Sequence, residues 1–121
     1  MGNRSFFVMA LLALPVLAQA GDRRVEIGTG MASYYGSELS GNRTASGERF
    51  DPNAMTAAHR TLSFGSLVAV TNLANGQEVV VRVNDRGPWG KSRIMDVSYA
   101  AAKQLGMHRS GTAKVKLELL D

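Results

Sequence analysis

Two runs of β-branched and apolar residues face each other across an Asn-Gly pair, and no other feature narrows the fold as far. Ser66-Leu67-Val68-Ala69-Val70-Thr71-Asn72-Leu73 reads as a strand, and Glu78-Val79-Val80-Val81-Arg82-Val83 as its return. Between them Ala74-Asn75-Gly76-Gln77 carries a strong tight-turn signal. Arg93 to Val97 reads as a further short strand, and Ser98 caps a helix over Tyr99 to Leu105 that Gly106 ends. From Thr112 to Leu119 the chain alternates, with Ala113, Val115, Leu117 and Leu119 against Lys114, Lys116 and Glu118. That period of two predicts a half-buried closing strand.

Upstream, Met31 to Tyr35 is strand-like and stops at Gly36. Residues 37–55 are rich in Ser, Gly, Asn, Asp and Pro and read as one long loop, which a compact domain keeps when the loop has a function. The chain has no cysteine, so no disulfide can stabilise it. A small, strand-rich chain must also cover its sheet edges, and closure into a barrel does this. The expected fold class is mainly β, a barrel with one short helix.

The first residues have a different character. Arg4 precedes an apolar run from Phe6 to Ala18, and Ala18-Gln19-Ala20 offers small residues around one polar residue. That arrangement reads as a signal peptide cleaved after Ala20. About 13 residues of helix span about 20 Å, too short for a hydrocarbon core of about 30 Å, so a membrane anchor is the poorer reading. The expected organisation is a signal peptide at 1–20, a flexible lead-in at 21–29 and one domain at 30–121. The chain carries a net charge of +4, and losing Arg4 brings it to about +3. The basic residues are scattered, which favours anionic surroundings such as a cell wall; with export, nucleic acid is not an expected partner.

Three positions have chemical potential. Asp85 ends the return strand in Val83-Asn84-Asp85-Arg86-Gly87-Pro88, placing a carboxylate where a sheet gives out. The plainer reading is that it accepts backbone N–H bonds in its own turn. Glu48 sits in the long loop within Thr44-Ala45-Ser46-Gly47-Glu48, where a solvated glutamate is the ordinary case. His59, in Thr56-Ala57-Ala58-His59, is one of two histidines, and a structural role is the ordinary one for it. His59 and His108 show no ligand spacing, so neither metal nor cofactor is expected.

Taken in order, Ala32-Ser33-Tyr34-Tyr35-Gly36, Thr44 to Glu48, Thr56 to His59, Leu62-Ser63-Phe64-Gly65, Val70 to Leu73, Val81 to Pro88 and Arg93 to Ala102 form a specific series. Over residues 30–119 the chain resembles the rare lipoprotein A (RlpA) family of bacterial septal lytic transglycosylases. The resemblance implies a six-stranded double-psi β-barrel, shared with expansins, barwin and family 45 cellulases. It implies peptidoglycan glycan strands as substrate, preferably stripped of stem peptides. It also implies scission of the N-acetylmuramic acid–β-1,4–N-acetylglucosamine bond with a 1,6-anhydro product.

On these positions Asp85 matches the family's catalytic acid, and Glu48 and His59 match supporting residues. Tyr34, Tyr35, Ser46, Asn84 and Arg86 lie in the matching motifs and are the expected substrate contacts; burial in the barrel explains one of the two tyrosines equally well. As acid, Asp85 is expected to need partial burial or a negative neighbour, with Arg86 turned away, Glu48 as that charged neighbour or a sugar-hydroxyl ligand, and His59 orienting Glu48 or binding saccharide. Two departures stand out: no cysteine is present to lipidate, and the sequence stops at Asp121 where many members carry a SPOR domain. The expectation is a monomeric periplasmic or secreted protein without a lipid anchor. Two rival readings remain open, a non-catalytic expansin-like wall-binding module and a barwin-like interaction or inhibitor protein.

Overall fold

The computed structural model describes residues 23–120, so the expected signal peptide at 1–20 lies outside the described residues. Six strands, β1 (Arg24–Tyr34), β2 (Thr56–Ala58), β3 (Leu67–Asn72), β4 (Glu78–Asp85), β5 (Arg93–Val97) and β6 (Thr112–Leu120), are joined by one α-helix, α1 (Tyr99–Gln104). They close into a barrel in the order β1-β5-β2-β4-β3-β6. The β1–β5 and β2–β4 pairs are parallel and the other four antiparallel. Among the described residues each strand has a neighbour on both sides over part of its length, which meets the need that the small cysteine-free chain imposed, and only β6 pairs with Arg24 to Gly30.

The hairpin forms where the sequence predicts it. Val79, Val81 and Val83 of β4 enter the core beside Val68 and Val70 of β3, because alternate residues of a strand share a face. The connection is longer than a two-residue turn. The Asn72 amide donates to the Gln77 carbonyl, the Asn72 carbonyl accepts from Asn75 and Gly76, and only Gly76 takes a positive φ, of 76°. Asn75 keeps a negative φ, so the paired left-handed residues of a type I′ turn are not formed. Val115 and Leu117 of β6 are buried as the alternation required, and Met95, Leu105 and Met107 complete the centre. The Ser98 side chain accepts from the Ala101 amide and starts α1, which lays Ala101 and Ala102 against the core.

One expectation fails. The lead-in expected at 21–29 is strand from Arg24 onward: Arg24 to Gly30 pair with β6 between Leu120 and Val115. The pairing is by backbone: Val25 and Ile27 alternate with Arg24 and Glu26, but the alternation is short and both apolar residues remain exposed, so it marks no core face. The loop at 37–55 largely holds, relieved only by a 3-10 turn at Ser37–Leu39 and an Arg43–Arg49 bridge. The three-residue β2 had no signal of its own; it is wholly buried between β4 and β5.

Candidate active site

The site begins with an irregularity in β4. Against β2 the register runs Thr56 to Arg82 and Ala57 to Val83, then skips to Ala58 opposite Asp85. Asn84 is therefore an extra residue, a β-bulge. In an unbroken strand Val83 and Asp85 would face the same way, into the core. The bulge lets Val83 stay fully buried while Asp85 turns to the surface. Asn84 itself is 3% exposed and ties down what lies above it.

That overlying segment is the loop at residues 44–48. It is closed by the Thr44 amide on the Glu48 carbonyl (2.7 Å) and docked by the Ser46 amide on the Asn84 carbonyl (3.3 Å). Gly47, at a φ of 94°, makes the turn that a residue with a side chain would resist. The loop delivers the Ala45 amide to Asp85 Oδ1 at 2.8 Å, and the Arg86 amide donates to the same oxygen at 2.9 Å. The other oxygen, Oδ2, accepts from the Tyr35 hydroxyl at 2.6 Å. The Tyr35 ring is stacked on Phe50, centroids 4.5 Å apart, and burial followed by the Asp85 carboxylate pushes its phenol well above the ordinary range.

Glu48 is tied elsewhere. Its carboxylate is held bidentately by Arg82 (2.6 and 3.0 Å) and accepts from Asn84 Nδ2 at 3.3 Å. Arg82 first, then Asn84, lowers its pKa below the usual carboxylate value. His59 does not orient it. His59 Nδ1 accepts from the Thr61 and Leu62 amides (3.1 and 3.2 Å), while the His59 amide donates to the Asp85 carbonyl at 3.1 Å. Burial, then Arg86 and Arg60, lower the imidazole pKa below its ordinary value, and through Nδ1 the ring is an acceptor in its own turn. Ser46 is likewise engaged locally, its hydroxyl 3.0 Å from that of Thr44 and accepting from the Glu48 amide at 3.3 Å. Arg86 is turned from the Asp85 carboxylate: its guanidinium donates to the His59 carbonyl at 3.2 Å and lies 4.1 Å from the Phe64 ring centre.

The two tyrosines separate. Tyr34 donates to the His108 carbonyl at 2.7 Å and packs on the core, whereas Tyr35 reaches Asp85. Asp85, Tyr35 and Arg86 open onto a groove of about 400 Å³; neither Glu48 nor His59 lines it. The carboxylate that shares this groove is Asp96, which sequence reasoning passed over. Ala58 pairs with Asp85 on one side and with Asp96 on the other, so the two backbones stand about 10 Å apart across β2. Asp96 Oδ1 accepts from Ser33 Oγ and from Arg93 Nη1, the latter at 2.9 Å. The available signal was a charged residue at the polar phase of β5, between the buried Met95 and Val97.

Trp89 and Arg60 were also missed. Trp89 is 74% exposed on the groove rim. Its loop is pinned by the Arg60 guanidinium, which donates to the carbonyls of Pro88 (2.6 Å), Gly90 (2.5 Å) and Arg93 (2.7 Å). Among the described residues no group of three His, Cys, Asp or Glu side chains could hold a metal ion. The arrangement is suited to proton transfer in an open groove, with a rigid carboxylate and a hydroxyl on its outer oxygen.

Residues 27–117 match the family model described as lytic transglycolase, of the double-psi β-barrel type. The chain is 57% identical over 91 residues to a probable endolytic peptidoglycan transglycosylase RlpA of Synechocystis, covering 75% of this chain and 28% of that protein. The RlpA of Pseudomonas aeruginosa is 53% identical over 100 residues (83% of this chain, 29% of the relative), and that of Treponema pallidum 49% over 122 (100% and 38%). The chain thus spans roughly three tenths of the length of these first relatives. Among solved structures, a Streptomyces papain inhibitor superposes with a TM-score of 0.63 at 20% identity, over 84% of this chain and 97% of the other. A Clavibacter michiganensis expansin gives 0.61 at 19%, over 77% and 50%. At such identities these two share the fold alone.

Proposed function

This chain belongs to the RlpA-like family of double-psi β-barrel lytic transglycolases, and on that premise we propose that it cleaves peptidoglycan glycan strands as a lytic transglycosylase. The observation that carries the reading is the setting of Asp85, a carboxylate fixed at a strand end by three donors and open to a groove.

The two oxygens of Asp85 have different duties. Oδ1 is occupied by two backbone amides, which only donate. Oδ2 meets only a hydroxyl, and a hydroxyl can donate to a carboxylate or accept from a carboxylic acid. The transferable proton therefore resides on Oδ2, and Tyr35 serves both protonation states without moving. Protonated Asp85 gives that proton to the glycosidic oxygen as the bond from the muramic C1 breaks. The muramic C6 hydroxyl then closes on C1, and its proton returns to Oδ2. No water is consumed, and the product carries a 1,6-anhydro ring. Glu48, His59, Ser46 and Asn84 act by holding the loop and strand end that present Asp85. Strands stripped of stem peptides are the preferred substrate. Such a substrate lies outside the cytoplasmic membrane, in keeping with removal of residues 1–20, which amino-terminal sequencing of the exported protein tests.

Mass spectrometry of stem-peptide-free glycan after digestion is the decisive measurement. New 1,6-anhydro ends are expected from the wild type and their loss from Asp85→Asn. Reducing ends would replace the proposal with hydrolysis, and the absence of new ends would leave a wall-binding module.

A further inference from the structure

The surface continues past the Asp85 groove. Tyr34, Tyr35 and Gly36 also line a second pocket of about 590 Å³, whose far side is made by Pro52, Asn53 and Tyr99. The two hollows therefore adjoin, with Tyr34, Tyr35 and Gly36 as their common wall. Tyr99 opens α1 and is 39% exposed, in contrast to Ala101 and Ala102 behind it, which are fully buried. Its ring is braced, tilted at 56° against Tyr34 with centroids 5.7 Å apart and edge-on to His108 at 6.4 Å. An aromatic ring that is rigid, half-exposed and set in a mostly apolar pocket is a platform for another flat apolar face. At this common wall the Glu38 carboxylate lies over Gly36, where a Cβ would collide with it, and no hydrogen bond to another described residue engages it. An accepting group therefore lines the Tyr99 pocket beside the groove.

Resting on the function proposed above, we infer that the Tyr99 pocket is a second saccharide site, holding non-reacting hexosamine rings of the same strand whose scissile bond lies at Asp85. A β-linked pyranose has apolar C–H faces and a polar rim. The faces pack on Tyr99 and Pro52, while Glu38 and Asn53 meet hydroxyl and acetamide groups on the rim. The wall that the pocket shares with the groove makes the occupant the same strand, not a separate ligand. On the other side of Asp85 the exposed Trp89 borders the groove, so the strand lies lengthwise with the reacting carboxylate between its ends.

The test is binding as a function of ligand length, with Asp85→Asn in every protein to prevent turnover. β-1,4-linked N-acetylglucosamine oligomers of two and six rings are titrated by calorimetry and by amide NMR. Tyr99→Ala should weaken the six-ring ligand roughly tenfold and the two-ring ligand much less, and Tyr99→Phe should restore binding. Ser37→Trp, a substitution at an exposed position outside α1 that puts bulk into the pocket, should give the same length-dependent loss. Unchanged six-ring affinity in both Tyr99→Ala and Ser37→Trp, or an equal loss for the two ligands, overturns the inference. Because the readout is binding without cleavage, failure of the transglycosylase proposal in the product analysis leaves it measurable.

Discussion

The two ends of β4 are built on different principles, although they lie in one eight-residue strand. At the hairpin end Glu78 to Val81 alternate strictly, with Val79 and Val81 buried and Val80 41% exposed. Stability there follows from apolar area removed from water, and any well-packed aliphatic set would serve. At the groove end Asn84 breaks the alternation, and Asp85 is held by amides and a hydroxyl from three other points of the chain: Tyr35, Ala45 and Arg86. Packing supports one end; placed donors and acceptors define the other. The barrel carries such irregularities elsewhere too, since the β1–β5 and β1–β6 ladders also shift register, while β3 pairs without a break with β4 and β6.

Substitutions should separate the two ends. Asp85→Asn should lower the yield of anhydro ends by about 10²–10⁴-fold, the usual range for a general acid, while thermal melting stays near wild type. Equal loss of stability and activity would mean that Asp85 belongs to the packing after all. Val81→Ala is the converse: about 2 kcal/mol of stability lost in denaturant titration, with the folded fraction retaining full turnover. Tyr35→Phe removes the donor to Asp85 Oδ2 and keeps the ring on Phe50. Turnover should fall about tenfold, and a variant as active as wild type would show that Oδ2 needs no partner.

The histidine adds a pH signature. Burial, Arg86 and Arg60 lower the His59 pKa in the folded state below its ordinary value of 6.5. Between the folded value and 6.5 the unfolded chain binds a proton that the folded imidazole refuses. Stability should therefore be complete above about pH 6.5 and decline as the pH falls through that window. His59→Asn keeps an acceptor for the Thr61 and Leu62 amides and should flatten this part of a denaturation-versus-pH curve; an unaltered slope would assign the decline to other groups. The smallest effect is expected far from the groove. Arg24 reaches Glu78 at 2.8 Å and Glu118 at 3.5 Å on the exposed wall, and Arg24→Ala should leave the denaturation midpoint close to that of the wild type, since water screens a surface ion pair.

The hairpin end was readable because its signal is local. A run of β-branched residues with a period of two describes a surface half in water, and β3, β5, α1 and β6 were found in the same way. The groove end was readable only in part. Asp85 stood out as a carboxylate at a strand end, and Tyr35 belonged to the opening motif. Nothing in Val83-Asn84-Asp85 announces a bulge, however, since the extra residue exists only relative to β2. The roles expected of Glu48 and His59 changed for the same reason. Their partners, Arg82 and Asn84 for one and two adjacent amides for the other, depend on where the long loop and the following turn come to rest.

Asp96 and β1 mark the same division. Asp96 occupies an ordinary polar phase of β5, and only closure of β5 against β2 brings it opposite Ala58 from Asp85. Arg24 to Gly30 join the barrel through amide and carbonyl groups common to every residue, and the short alternation of Val25 and Ile27 does not say that β6 is their partner. Sequence alone settled the alternating strands, the capped helix and the membership of a motif series, because periodicity and capping are written in side chains a few residues apart. The tertiary structure alone decided which carboxylates face the groove and how the strands are ordered around the barrel. These are set by pairing between segments distant in the chain, such as Ala58 with Asp85 and with Asp96, and short-range pattern holds no information about register.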